Sequence, residues 1–69
     1  MSLNEEVEEE PVNVGQRVEG KFYGIWFPGT ITVVGVDETD GYTTMIMIKY
    51  DDGDVETAPF PNERIRILE

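Results

Sequence analysis

Between Val14 and Leu68 apolar residues recur at about every second position in short runs, and Gly, Pro or Asp cuts each run before it reaches helical length. A period near two puts alternate side chains on opposite faces of an extended strand, so this pattern points to an all-β domain. The 69 residues hold one small domain, since a chain of this size buries only about 60% of its unfolded surface.

The run Arg17–Phe22 sets Val18 inward and leaves Arg17, Glu19 and Lys21 in water. Tyr23 to Gly29, with two glycines and a proline, reads as a loop. Thr30 to Val36 is rich in β-branched residues, with Ile31 and Val33 expected on one face and a bend or bulge at Gly35. Asp37–Gly41 ends in an Asp-Gly pair that accepts positive φ, which predicts a hairpin between the second and third strands.

In the third run, Thr43–Tyr50, Lys49 must stay solvated. That requirement sends Met45 and Met47 outward and Ile46, Ile48 and Tyr50 inward, with Tyr50 at the rim of the core. Asp51–Asp54 supplies a turn into a fourth strand, Val55–Pro59, and Pro59 and Pro61 end its ladder because neither has a donor to give. A single 3₁₀ turn is expected over Pro61–Arg64. A last strand follows over Arg64–Leu68, with Ile65 and Ile67 inward. Five strands this short are expected to curl into a small barrel that closes its own edges.

Residues 1–13 carry five glutamates and no base, a composition that cannot offset the entropy of ordering. They read as a disordered acidic tail, leaving the barrel to residues 14–69. The barrel segment is acidic in its own right, and the whole chain has a formal charge of −10. Such a surface repels nucleic acid and attracts Lys- or Arg-rich ligands, although net charge also serves plain solubility.

The chain has no Cys and no His, and its one serine is Ser2. Thiol and imidazole chemistry, Ser-His-Asp triads and the usual zinc sets are thereby excluded, so neither an enzyme nor a metal or other cofactor is expected. Asp51–Asp54 lacks the spaced ligands and closing Glu of a calcium loop. The absence of cysteine favours the cytosol or nucleus, and neither a membrane-spanning run nor a signal peptide is expected.

Seven aromatic residues are too many for so small an interior, and four of them lie within Phe22–Phe27. Phe22, Phe27 and Tyr50 fall at strand ends that a curled antiparallel sheet can bring together, with Asp51, Asp52 and Asp54 directly after Tyr50. Trp26 and Phe27, as neighbours in an extended segment, point opposite ways. Rings beside a carboxylate suit a methylated ammonium. An N–H retained by mono- or dimethyl-lysine can bond to Asp52, whereas a trimethylated head has none, so lower methylation states are expected. Each ring also has an ordinary place in a core, and the aspartate run has one as a solvated turn.

Val14-Gly15-Gln16-Arg17-Val18, Trp26-Phe27-Pro28-Gly29-Thr30-Ile31, Tyr50-Asp51-Asp52-Gly53-Asp54-Val55-Glu56 and Ile65-Arg66-Ile67-Leu68 together resemble a Tudor domain of the Royal superfamily. The resemblance implies a five-stranded SH3-like barrel that reads methylated lysine or arginine on histone tails or other nuclear proteins. It places the cage on Phe22, Phe27 and Tyr50, with Asp52 as its acidic member. Asp54 stands where such readers often carry another ring, with Tyr23 or Trp26 as possible substitutes. The absence of a matching Asn tilts the reading toward lysine. The expected product is a nuclear, monomeric binding module for a methylated basic peptide. The alternatives are a module for unmodified basic segments and a methylarginine reader.

Overall fold

The computed structural model describes residues 12–68. Five strands follow in order: β1 (Arg17–Phe22), β2 (Ile25–Val36), β3 (Thr44–Tyr50), β4 (Val55–Pro59) and β5 (Ile65–Ile67). All neighbours are antiparallel in one sheet, ordered β4-β3-β2-β1-β5. The fold is therefore all-β with five strands, but β4 and β5 are edges with no ladder between them. Closure fails where the chain is least able to supply it: β5 is three residues long, and Pro59 and Pro61 remove donors from the segment that leads to it.

The expected loop from Tyr23 to Gly29 is instead strand. Phe22 pairs with Ile25, Lys21 with Trp26 and Gly20 with Phe27, so only Tyr23 and Gly24 turn the chain, at φ 53° and 78°. Positive φ at both central residues is the primed turn whose twist matches a two-residue hairpin. Pro28 is tolerated because the β2–β3 ladder ends at the pair Gly29–Tyr50, so its missing N–H costs no ladder bond.

The alternation within β2 also departs from expectation. A bulge lies between Ile31 and Val33, at Thr32 rather than at Gly35, and it inverts the facing of everything beyond it. Ile31 is fully buried whereas Val33 is half exposed. The Thr32 hydroxyl donates to the Met47 carbonyl across the irregularity, at 3.3 Å. The β2–β3 hairpin itself forms through Asp37 and Gly41, whose N–H donates to the Asp37 carbonyl at 2.7 Å.

β3 keeps the register that Lys49 demands: Ile46, Ile48 and Tyr50 are buried and Lys49 is exposed. With Val18, Ile31 and Ile65 they form the core, and Val12, Phe22, Phe60 and Ile67 pack against it. Of the expected tail over residues 1–13, only Val12 and Asn13 lie within the described residues. Before β5, the Ile65 N–H donates to the Asn62 carbonyl at 2.9 Å, a single turn closed between residues three apart that lies over Asn62–Ile65, one residue later than expected.

Among the described core residues, Tyr50 alone carries an ionisable group. Burial, and then the hydrogen bond and charge of Glu56, push its phenol well above the ordinary 10.0. Its native pKa is raised, so the stability it contributes is intact below about pH 10 and is lost as pH climbs beyond it. In an alkaline titration, Tyr50 tyrosinate absorbance is expected to appear only together with loss of the far-UV β signal.

Candidate functional site

Four backbone devices bring the site together. The β1–β2 turn sets Phe22 and Phe27 near each other, with Tyr23 at the hairpin tip. Pairing of Gly29 with Tyr50 brings the end of β3 beside β2. The ring of Tyr50 then reaches past Gly29 toward Gly20, and a Cβ at Gly20 would lie 2.9 Å from its Cζ. Glycine at these two positions is what lets an aromatic ring lie so close to the sheet backbone. The turn after β3 is tied by Gly53 N–H to Tyr50 O at 2.9 Å and Tyr50 N–H to Asp54 O at 2.7 Å.

Phe22 is the hub of the aromatic group. Its ring centroid lies 6.0 Å from that of Phe27, tilted by 56°, and 5.5 Å from that of Tyr50, nearly edge-on at 77°. These separations lie in the range of favourable aromatic pairs. The rings border an open hollow of about 470 Å³ lined by Phe22, Tyr23, Phe27, Tyr50, Asp52, Asp54, Val55 and Glu56. Its size falls within the roughly 300–1,000 Å³ typical of ligand clefts.

The three aspartates of the turn divide between two tasks. Asp51 faces away from the hollow and takes a two-pronged contact from Arg17, at 2.9 and 2.8 Å, which holds its carboxyl below the usual range. Asp52 accepts the Asp54 N–H at 3.0 Å through one oxygen and lines the hollow together with Asp54. Among the described residues, no group of three carboxylates is placed to hold a metal ion.

Six of the seven residues expected at the site, Phe22, Tyr23, Phe27, Tyr50, Asp52 and Asp54, border this one hollow. Trp26 does not. It sits on the opposite face of the sheet, with the Arg66 guanidinium 3.9 Å and the Lys21 ammonium 5.6 Å from its ring. Alternation along β2 accounts for this, because Phe27 takes the hollow side and Trp26 the other.

The expected site lacked two residues that line the hollow, Val55 and Glu56, and of these Glu56 makes the polar contacts. Its Oε1 accepts the Tyr50 hydroxyl at 2.7 Å, and its Oε2 accepts Arg64 Nη2 at 2.7 Å. Arg64 also lies 5.4 Å from the Phe22 ring, so this pair braces two of the three rings and ties β4 to the residue that precedes β5. Period two carries the signal that finds it: Ala58 is inward, so Glu56, two residues earlier, faces the same side.

Compared with protein-family models, with curated proteins and with solved structures, the chain finds no match in any of the three.

Proposed function

We propose that this domain is a binding module for methylated lysine on a basic, histone-type peptide, and that it works in the nucleus as a Tudor-like reader. The observation that carries the reading is the convergence of Phe22, Phe27 and Tyr50 with Asp52 and Asp54 on one open hollow. A folded chain this acidic gains long-range attraction for a basic peptide, and the rings then select the head group. Aromatic faces attract a diffuse alkylammonium charge, while the methyls fill apolar space that a bare ammonium would rather leave for water.

A barrel of the SH3-like kind is part of the same proposal. It is supported by β2, twelve residues long, which pairs with β1 through its first half and with β3 through its second, bending at Thr32. The Arg64–Glu56 ion pair draws the two open edges together without a ladder.

Three rings and one carboxylate give about 5–7 kcal/mol after ordering costs, an affinity of roughly 10–200 μM. Affinity in this range suits one module among several acting on the same ligand. The test is a titration of the labelled domain with matched peptides bearing zero to three methyls on one lysine. Mono- and dimethyl-lysine should bind most tightly. Equal binding of all four peptides would leave only charge attraction.

Asp52→Asn is the sharper probe. It removes the charge but keeps the shape, so it should weaken mono- and dimethyl-lysine by about tenfold, the loss of one charge-assisted hydrogen bond. Trimethyl-lysine, which has no N–H to donate, should lose distinctly less. Isothermal calorimetry across the three states measures the difference, and parallel losses would remove Asp52 from the role.

A further inference from the structure

Tyr23 is the only non-glycine residue among those described that has a positive φ, at 53°. It occupies the first central position of the two-residue β1–β2 turn, where Asn, Asp or Gly adopts the left-handed conformation most readily. Tyrosine adopts it poorly, because its Cβ crowds the following carbonyl. Nothing among the described residues compensates, since Tyr23 is 101% exposed and pairs with none of the other rings described. Yet it stands at the lip of the hollow that Phe22, Phe27 and Tyr50 border.

A strained backbone position occupied by a large, unpacked ring beside a cleft is the arrangement expected when the ring's partner arrives from outside. Gly24, the other half of the turn, has open space around its Cα and also takes a positive φ, so the tip carries no packing that would hold the ring away.

We propose that Tyr23 is a specificity-determining fourth wall, a ring that folds over the hollow and covers the alkylammonium head and the aliphatic stem behind it. This rests on the reading of the hollow as a methyl-lysine site. The closing contact forms only with ligand bound, so the residue trades stability of the free domain for grip on the complex.

This trade gives the test two readouts that a merely structural residue could not move in opposite directions. The variants are Tyr23→Asn, which suits the turn and removes the ring, and Tyr23→Phe, which keeps the ring. The probes are a short Lys- and Arg-rich peptide carrying one dimethyl-lysine and the same peptide unmethylated. Tyr23→Asn should melt about 4 °C or more above the wild type. It should also bind the dimethylated peptide about fivefold more weakly, the loss of one cation–π contact, with the unmethylated peptide weakened distinctly less. Tyr23→Phe should bind as the wild type does. In the wild-type complex, Tyr23 ring protons should show nuclear Overhauser contacts to the N-methyl protons.

If Tyr23→Asn melts higher but binds the dimethylated peptide undiminished, the fourth wall is overturned while the three-ring site stands. A lower melting temperature for Tyr23→Asn shows that the ring already packs in the free domain, which also overturns it. Should the wild type itself fail to distinguish the two peptides, the methyl-lysine reading falls and the wall falls with it.

Discussion

Tyr50→Ala should leave a chain that no longer holds its sheet. The Tyr50 ring is 4% exposed, belongs to the core, and fastens the end of β3 to β4 through its hydroxyl and Glu56. Truncating a buried aromatic side chain costs about 3–5 kcal/mol. A single core in a domain of this size supplies about the same amount, so the variant should show no cooperative melt by circular dichroism and a collapsed amide spectrum by NMR. Tyr50→Phe separates the ring from its hydroxyl: it keeps the wall of the hollow and gives up one hydrogen bond, about 1 kcal/mol. A Tyr50→Ala variant that melts like the wild type would refute the placement of this ring in the core.

Gly20→Ala should be nearly as damaging, although it adds only one methyl group. The new Cβ would overlap the Tyr50 hydroxyl and lie 2.9 Å from Cζ and 3.1 Å from Cε1. The ring is rigid and buried, so it cannot step aside as a lysine tip would. It has to swing as a whole, which breaks its bond to Glu56 and tilts the wall it presents to Phe22. Overpacking of this kind costs about 1–3 kcal/mol, and binding of a dimethyl-lysine peptide should fall about tenfold, the equivalent of about 1.4 kcal/mol. Gly35→Ala is the matched control, because a Cβ there meets no atom within 4 Å. Thermal melts and titrations of the two variants side by side measure the contrast, and equal behaviour would refute the close approach.

Much of this architecture is legible in the sequence because single residues fix it. Lys49 cannot be buried alone, so it sets the facing of all of β3. The Asp-Gly pairs mark two of the turns. What escapes is information that resides in pairing rather than composition. Pro28 and two glycines look like loop punctuation until the end of β3 leaves Pro28 with no bond to donate. Tyr23 gives no turn signal, because its residue type opposes the conformation it adopts. Thr32 is an ordinary strand residue in sequence, and only the register across to β3 shows it unpaired. At the site, Phe22 and Tyr50 are foreseeable from strand ends, whereas Phe27, expected just before the second strand, lies within β2. Glu56, which borders the same hollow, follows the aspartate run and is easily read as more solvated charge.

The passage of Tyr50 past Gly29 and Gly20 also bears on how the selectivity of such a domain can be altered. The floor of the hollow is laid down by main chain and by a ring anchored in the interior, whereas Phe27 and Tyr23 project from it with little support beneath. Replacing either of these outlying side chains leaves the foundation undisturbed, so under the proposed reading recognition can be retuned one panel at a time without reopening the question of whether the molecule folds.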